Sequence, residues 1–432
     1  MLDIKFIREN TVKVREAIKN KQLNDNLDHL LSLDDRRRKL IIETEAIRSR
    51  RNEISEKLKK GKDETLVSEG KQLKEQVSKL ELELKEVEEA WLAEMYRVPN
   101  IPADDVPVGT SETENKVVFT WGKPKKFNFE PKDHMALAEK LNLIDTDSAA
   151  RVTGSRFYYL LGGAASLQLA LMKYVTDLLT DSEFVKQMAD SVEPGYNPKP
   201  FIPVFTPVMI REDVYKKAAR LTEADKDERY YLQQDNLYLI GSAEHTLVSM
   251  HMDKTFEEKD LPLRYIGYST SFRREAGSYG KDVKGILRVH QFDKLEMESF
   301  STADDSMKEH LLFVAIEEYL LQKLEIPYQK LLKCTADIGV PNARGVDLEA
   351  WMPGQNKYRE THTADLMTDY QSRRLNIRVK RKKGPELVHT NDATALAMPR
   401  TLIAILENYQ QEDGSILVPE VLKPYTKFEK IG

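Results

Sequence analysis

One stretch of the sequence, Phe272 to Phe300, combines residue types that could bind a charged ligand with an aromatic part. Because successive side chains of a β-strand point to opposite faces, a strand over its second half would place five residues on one face: Arg288, His290, Phe292, Lys294 and Glu296. An aromatic ring can stack on a nucleobase, and a planar guanidinium can hold phosphate through paired hydrogen bonds. The pattern therefore favours a nucleotide site; a solvated hairpin with ordinary charge mixing is the alternative.

Two β-rich segments must position these side chains. Tyr268 to Arg274 and Gly285 to Phe300 are predicted as strands, and Gly277, Gly280 and Gly285 punctuate the loop between them. The sequence therefore predicts an antiparallel pair that serves as a rigid platform. His290 has a structural alternative, a satisfied role on the face of the sheet.

Length and charge limit the possible classes of protein. A chain of 432 residues is too long for one ordinary core, so we predict two domains, 1–109 and 110–432. A net charge of -5 argues against a generally basic nucleic-acid coat protein. Local basic patches could still bind RNA, because the distribution of charge matters more than its sum.

Cysteine content and hydropathy indicate the compartment. The single cysteine, Cys334, excludes an intramolecular disulfide framework and a Cys-rich zinc site, so no zinc is expected. The sequence has no basic-then-apolar leader at Met1 and no apolar run of transmembrane length. We therefore expect a cytoplasmic protein without a membrane partner.

The amino-terminal region contains two series of apolar residues at heptad spacing. A seven-residue repeat predicts long helices with apolar seams, and Gly61 within KKGKDET is the only strong breaker between them. An antiparallel helical hairpin follows, about 45 Å long for helices of roughly 30 residues. The seam residues are Leu33, Leu40, Ile47 and Ile54, then Leu73, Val77, Leu80, Leu84, Val87 and Trp91.

Charge is distributed unevenly over this hairpin. The first helix is basic, from Arg36 to Lys62, and the second ends acidic, from Glu81 to Glu89. These charges either solvate the hairpin and pair across it, or the basic residues contact an RNA backbone. Alternate seam positions of the first helix hold polar residues, which predicts a partly splayed or solvent-facing helix: Arg37, Thr44 and Arg51.

The remainder predicts a mixed, mostly antiparallel α+β domain. Prolines within PGYNPKPFIPVFTPV confine that β-prone segment to an edge or an interface, GVDLEAWMP is predicted as a strand, and 358–380 as a polar loop leading to another strand. Arg400 heads an amphipathic helix, followed by a β-like tail. The sequence lacks a G-x-x-x-x-G-K-[ST] loop, a post-strand G-x-G-x-x-G and H-E-x-x-H, so nucleotide chemistry would need another cradle.

Three segments in this order resemble motifs one, two and three of class II aminoacyl-tRNA synthetases. They are Gly195-Tyr196 followed by Pro207, then Phe272-Arg273-Arg274-Glu275 with Phe292, then Ala397-Met398-Pro399-Arg400. Within that class the chain looks like the bacterial seryl-tRNA synthetase type almost end to end. The resemblance implies a coiled-coil arm joined to a class II catalytic domain with a mostly antiparallel sheet flanked by helices.

The resemblance also implies roles for individual residues. Arg273 would hold the ATP α-phosphate, Phe292 would stack on adenine, and Arg400 would cover the other adenine face and reach the γ-phosphate. Glu360 and Thr363 would hold Mg²⁺ and ATP. The remaining implied nucleotide contacts are Arg274, Glu275, Thr361 and His362, and the implied serine contacts are Ser242, Ala243, Glu244, Arg273, Glu296 and Thr394.

The implied activity is ATP-dependent attachment of serine to tRNA(Ser), with selenocysteine tRNA as a possible second substrate and a homodimer as the assembly. Asp392 departs from the family, since it stands where a neutral amide is usual. Pro399 replaces a small residue, and Gly241-Ser242 replaces Pro-Thr. Two alternatives remain: a catalytically altered or silent tRNA-binding paralogue, which Asp392 favours, and an amino-acid:carrier-protein ligase, whose known relatives lack the arm.

Overall fold

Two units make up the chain, Met1–Ile101 and Pro102–Gly432, and the division falls in the proline-containing linker. The computed structural model describes residues 1–61, 63–223, 225–276 and 285–432. Gly277 and Gly280 of the predicted loop, and Lys62 of the basic helix, lie outside the described residues.

Two long helices dominate the first unit and pack against each other as an antiparallel hairpin. The predicted hairpin is thus confirmed, with Gly61 in the turn. The Asp63 carboxylate caps the second long helix by accepting hydrogen bonds from the backbone N–H groups of Thr65 and Leu66. The helices are α1 (Ile4–Glu9), α2 (Thr11–Asn20), α3 (Leu27–Leu58) and α4 (Glu64–Arg97).

The seam of the hairpin buries both apolar and polar side chains. Leu40, Ile54 and Val77 are buried, and so is Thr44, whereas Arg51 is exposed. Four arginines of α3 pair with glutamates of α4, which supports charge pairing across the hairpin for these residues. The pairs are Arg36 with Glu83, Arg37 with Glu88, Arg48 with Glu81, and Arg50 with Glu69.

An eight-stranded sheet forms the centre of the second unit, in the order β1-β11-β12-β13-β16-β10-β9-β4. All of its neighbours are antiparallel except β4 and β9. The strands of this unit are β1 (Lys116–Trp121), β2 (Ile144–Asp145), β3 (Tyr159–Leu160), β4 (Ile202–Phe205), β5 (Met209–Arg211), β6 (Tyr231–Leu232), β7 (Leu237–Leu239), β8 (Thr255–Glu257), β9 (Leu263–Phe272), β10 (Gln291–Ser301), β11 (Tyr328–Leu332), β12 (Arg344–Met352), β13 (Lys357–Thr368), β14 (Arg378–Arg381), β15 (Gly384–Leu387), β16 (His389–Ala397), β17 (Ile416–Leu417) and β18 (Lys430–Ile431).

Helices cover one face of this sheet and bury the main apolar core. The two helices α11 and α13 pack directly on the central strands, through residues such as Leu312, Ile316, Leu402 and Ile405. The helices of this unit are α5 (His134–Leu141), α6 (Thr146–Thr153), α7 (Gly162–Thr180), α8 (Ser182–Val192), α9 (Glu212–Lys217), α10 (Glu244–Leu247), α11 (Ser306–Lys323), α12 (Tyr370–Leu375) and α13 (Met398–Asn408). Within the described ranges, no helix is both long enough and apolar enough to span a lipid bilayer.

The platform has the predicted antiparallel pairing but different bounds. β10 begins at Gln291 rather than at Gly285, so Arg288 and His290 precede the strand. Gly285 has φ +87°, and a Cβ there would lie 2.1 Å from His134 Nε2, so both the turn and the close contact require glycine.

The prediction of a polar loop over 358–380 is wrong. This segment contains β13, a central strand of the sheet, followed by α12 and β14. Buried polar side chains such as Thr361 and Asp365 interrupt the apolar alternation by which a strand is usually recognised. The tail beyond α13 is also less β-like than predicted, since a 3₁₀ helix at Glu420–Tyr425 separates two short strands.

Proline placement agrees with the prediction for the 194–208 segment. β4 contains Pro203 and lies at the edge of the sheet, where it pairs only with β9. Arg264 anchors the preceding segment by donating hydrogen bonds to the carbonyls of Asn197 (3.1 Å) and Lys199 (2.6 Å). Its guanidinium also forms a fully buried ion pair with Glu309 at 2.6 Å.

Candidate active site

Several of the predicted site residues lie on one face of the sheet, where β10, β16 and β13 are neighbours. Glu296 of β10 is paired with Thr394 of β16, and Asp347 of β12 is paired with Thr363 of β13. Lys294 contacts the Glu296 carboxylate directly. Acidic and hydroxyl groups from four strands therefore face the same region.

Arg273 follows the end of β9 and lies beside the predicted stacking residue. Its guanidinium carbon is 5.3 Å from the centre of the Phe292 ring, and its Nε donates to the carbonyl of Gly241 at 3.2 Å. His290 Nδ1 donates to the Arg273 carbonyl at 3.0 Å, so His290 supports the arginine through its backbone. Burial, followed by the positive charges of Arg229 and Arg400, lowers the pKa of Arg273.

Arg400, in the first turn of α13, contacts Glu360 on β13. Its Nη1 lies 3.0 Å from Glu360 Oε1 and donates to the Glu360 carbonyl at 2.9 Å. Partial removal from water opposes ionisation of Glu360, but Arg400, Lys333 and Arg273 outweigh this effect and lower its pKa. Arg273 and Arg400 thus both favour the ionised form of Glu360.

The remaining motif-two side chains diverge. Glu275, with φ +52°, directs Oε2 to a position 3.5 Å from Arg288 Nη1. Arg274 instead places its guanidinium 5.1 Å from the centre of the Tyr230 ring. Arg273 therefore lies near Phe292, Glu275 pairs with Arg288, and Arg274 packs against a different aromatic residue.

A second cluster, which we call the carboxylate pocket, contains Ser242, Glu244, Glu296 and Asp392. The Ser242 hydroxyl donates to Glu296 Oε2 at 3.2 Å and accepts from Lys294 Nζ at 3.1 Å. Carboxylate oxygens of Glu244, Glu296 and Asp392 lie within 4.8 Å of one another. Burial, together with the Glu244 charge, raises the pKa of Glu296 even though Lys294 is adjacent. The side chain of Ala243 packs in an apolar cluster.

The ring of His245 lies next to the carboxylate of Glu244 and orients it. Its Nδ1 accepts from the backbone N–H of Gly241 at 3.2 Å, so the proton of the neutral ring lies on Nε2, 3.4 Å from Glu244 Oε1. The Tyr215 hydroxyl lies 2.8 Å from the same Nδ1. Burial lowers the pKa of His245 to about 4, so the ring is neutral at neutral pH.

Arg220 is a site residue that the sequence analysis missed. Its Nη2 donates to Asp392 Oδ2 at 2.6 Å, and its Nε lies 3.1 Å from Glu244 Oε1. Asp392 itself carried the signal, because a buried carboxylate in place of a neutral amide needs a cation nearby. No local motif surrounds Arg220, so its identity could not be read from the sequence.

Glu360 and Thr363 offer hard oxygen ligands, the type that Mg²⁺ prefers. The Glu360 side chain is 47% exposed and can therefore reach a ligand, and Thr363 lies across from Asp347. The donor set fits a magnesium ion. Thr361 and His362 are buried: the Thr361 hydroxyl donates to the Leu348 carbonyl at 3.3 Å, and His362 Nδ1 lies 2.9 Å from that hydroxyl.

The site contains two cations that could bind phosphates, Arg273 and Arg400, and a group of carboxylates that could bind an ammonium group. Arg273 lies beside Phe292 and bonds the carbonyl of Gly241, which precedes Ser242 of the carboxylate pocket, and Arg400 pairs with Glu360 on β13. Such a site suits the reaction of an amino acid with a nucleoside triphosphate.

Comparison with known proteins identifies the family. Residues 1–102 match the model for the seryl-tRNA synthetase N-terminal domain, and residues 228–409 match the tRNA synthetase class II core domain (G, H, P, S and T). The serine–tRNA ligase of Symbiobacterium thermophilum is 39% identical, with 100% of both chains covered. The chain belongs to the seryl-tRNA synthetase family.

Solved structures of this family agree with the fold. The seryl-tRNA synthetase of Pyrococcus horikoshii, solved in complex with ATP, is 38% identical with a TM-score of 0.88, covering 100% of this chain and 99% of its own. The cytoplasmic serine–tRNA ligase of Naegleria fowleri, solved with AMP, is 30% identical with a TM-score of 0.85, covering 100% of this chain and 98% of its own. The predicted family and fold are thereby confirmed.

The buried position of His245 predicts an unusual titration. Since its pKa in the folded protein is about 4, we expect its ring ¹⁵N signals to remain those of the Nε2–H tautomer from pH 8 to pH 5. In urea-unfolded protein the same residue should titrate near pH 6.5. A midpoint near 6.5 in the folded protein would contradict the assigned hydrogen bonds.

Proposed function

We propose that this protein attaches serine to tRNA(Ser) in two steps. Serine and ATP first form seryl-adenylate and pyrophosphate, and the seryl group then passes to the terminal ribose of the tRNA with release of AMP. One observation carries the proposal: Arg273, whose guanidinium lies 5.3 Å from the centre of the Phe292 ring, also donates to the carbonyl of Gly241, next to Ser242 of the carboxylate pocket. A nucleotide and an amino acid could therefore meet there.

In the first step an oxygen of the serine carboxylate attacks the α-phosphorus, and the bond from that phosphorus to the pyrophosphate oxygen breaks. The attacking carboxylate is already an anion, so the step needs positioning and positive charge rather than a strong base. We assign the α-phosphate to Arg273 and adenine to the space between Phe292 and Arg400. Arg400 also reaches the γ-phosphate, and Glu275 contacts the nucleotide.

Magnesium would be held by Glu360 and Thr363. When bound, it would neutralise phosphate charge that the two arginines leave uncompensated. Glu360 is well suited to this role because nearby cations lower its pKa and keep it ionised.

Serine recognition is assigned to the carboxylate pocket. Glu244 and Glu296 would receive the ammonium and the hydroxyl of the substrate, with Ser242 and Thr394 alongside. Alanine lacks the hydroxyl, so its binding would leave buried polar groups unpaired. The pocket should therefore reject alanine more strongly than the loss of one contact suggests.

The helical hairpin is proposed as the tRNA-binding arm. Four of its arginines are engaged by glutamates, but Arg38 and Arg51 lie within ion-pair distance of no acidic group among the described residues. Exposed cations of this kind can contact a phosphate backbone, which is read by shape more than by sequence. The proposal extends to selenocysteine tRNA as a second substrate for the same arm.

A homodimer is proposed through the edge at β4. Ile202, Phe205 and Met209 are exposed there, and an adjoining groove of about 340 Å³ is lined by Val204 and Leu247 among other apolar residues. An apolar edge of this kind suits association. We also propose a cytoplasmic location, consistent with Cys334 as a free, buried thiol.

The two alternative functions are not favoured. A carrier-protein ligase would not need the hairpin, which is present over the full length of α3 and α4. A catalytically silent paralogue is not favoured, because Arg273, Glu360 and Arg400 are all present. The negative charge that Asp392 could bring is opposed by Arg220.

Pyrophosphate exchange with four amino acids tests the first step. We expect exchange with serine to exceed that with alanine, glycine and threonine by at least about a hundredfold, because alanine and glycine would leave buried polar groups unpaired and threonine brings an additional methyl group. Arg273→Met should lower serine-dependent exchange by about a hundredfold or more. The matched control, Arg211→Met, removes an exposed arginine whose ion-pair partner among the described residues is Asp213, and it should leave exchange unchanged. Equal rates with alanine would refute serine specificity.

Deletion of the hairpin tests the second step. Replacing Leu33 to Val87 by a short flexible linker should leave serine-dependent pyrophosphate exchange largely intact, because no residue assigned to adenylation lies in that range. Aminoacylation of tRNA(Ser) should be lost. Unchanged aminoacylation by the shortened protein would disprove the assignment of the arm.

A further inference from the structure

Arg220 contacts two carboxylates that lie on different parts of the carboxylate pocket. It bonds Asp392 on β16 and lies against Glu244 at the start of α10, at the distances given above. Its own side chain is only 14% exposed. The contact to Asp392 is a hydrogen bond from Nη2, whereas Nε has no hydrogen-bond partner among the described residues, so the contact to Glu244 is an ion pair.

Burial and neighbouring carboxylates disfavour a charge on Asp392, and Arg220 opposes that effect. Asp392 is paired with Glu298 on one neighbouring strand and with Asp365 on the other, so three acidic residues form one row across the sheet. Like charges directly opposite each other are destabilising. Glu298 is fully buried, and neither of its oxygens has a hydrogen-bond partner among the described residues. Burial and the surrounding carboxylates accordingly raise the pKa of both Glu298 and Asp392.

The fold holds the turn that carries Arg220 in register with Asp392. Ala219 adopts φ +61°, a conformation that residues with a side chain seldom adopt, and directs the chain into the pocket. The amide of Gln371 donates to the Ala218 carbonyl at 3.0 Å, and its oxygen accepts from Thr390 at 2.7 Å. Since Thr390 is two residues before Asp392, one side chain ties the turn to β16.

We propose that Arg220 is a positioning residue of the serine pocket: by bridging Glu244 and Asp392, it orients Glu244 for the amino acid and makes a carboxylate at position 392 compatible with serine binding. This inference rests on the proposed function. Asp392 then replaces the usual neutral amide as one member of a charge pair rather than as an additional free anion. Neither Arg220 nor Asp392 needs to contact ATP.

Steady-state pyrophosphate exchange in Arg220→Met, Asp392→Asn and the double variant tests this proposal. Arg220→Met should raise the KM for serine by about tenfold to a hundredfold, because Glu244 loses the charged partner that orients it. The KM for ATP should change by less than about threefold, which a general loss of structure would not allow. Asp392→Asn should raise the KM for serine by a smaller factor, because it leaves the Arg220 charge in excess.

The double variant shows whether Arg220 and Asp392 act together or independently on the KM for serine. If the two residues act as one unit, its KM for serine should be no higher than that of Arg220→Met alone. Multiplied effects of the single changes, or parallel increases in the KM for serine and for ATP, would overturn the proposal. Arg220→Lys provides a second variant should Arg220→Met fail to fold. A lysine keeps the charge but cannot bridge both carboxylates, so the KM for serine should still rise, and an unchanged value would also overturn the proposal.

Two controls separate this test from that of the enzyme's function. Arg211→Met, on the preceding strand, should retain both KM values, since its partner Asp213 is exposed. If the unmodified protein shows no serine-dependent exchange, the proposed function itself is refuted. If the protein is active but the two single variants change the KM for serine independently, only the role of Arg220 is refuted.

Discussion

Charge pairing on the site face of the sheet is the constraint on which the catalytic unit depends. Taking an ion out of water costs several kcal/mol unless an opposite charge and hydrogen bonds are close by. Here Lys294 contacts Glu296, Arg220 joins Glu244 to Asp392, Arg400 pairs with Glu360, and Lys333 lies 3.6 Å from Asp347. Except for Lys294 and Glu296, which both lie on β10, each pair links different elements of the fold, so the geometry that balances charge also fixes the site.

The opposite face of the same sheet explains why these charges can be held rigidly. There α11 and α13 cover the strands with apolar side chains, and α13 carries Arg400 in its first turn. Further along α13, the buried Glu407 accepts hydrogen bonds from the backbone N–H groups of His134 (3.1 Å) and Gly354 (2.9 Å). The helix that supplies Arg400 is thereby tied to the first residue of α5 and to the turn that follows β12.

Local sequence patterns predicted much of this architecture, and their failures have physical causes. The hairpin followed from heptad spacing, and the edge position of β4 followed from its prolines. The strand β13 was predicted as a loop because polar residues such as Glu360, Thr363 and Asp365 interrupt the apolar alternation along it. Arg220 was missed because its partners lie 24 and 172 residues away in the chain, a separation that no periodicity reveals. The family resemblance predicted most of the other site residues. It did not predict Arg220, which opposes the charge of Asp392 in this chain.

The central claim is that one platform presents Arg273, Phe292 and Arg400 to a single nucleotide beside an amino-acid pocket. A crystal structure with a non-hydrolysable sulfamoyl analogue of seryl-adenylate measures this most directly. The account predicts adenine between Phe292 and Arg400, the sulfamoyl group at Arg273, and the ammonium against Glu244 and Glu296. An analogue bound with its adenine away from Phe292, or out of reach of either arginine, would contradict it.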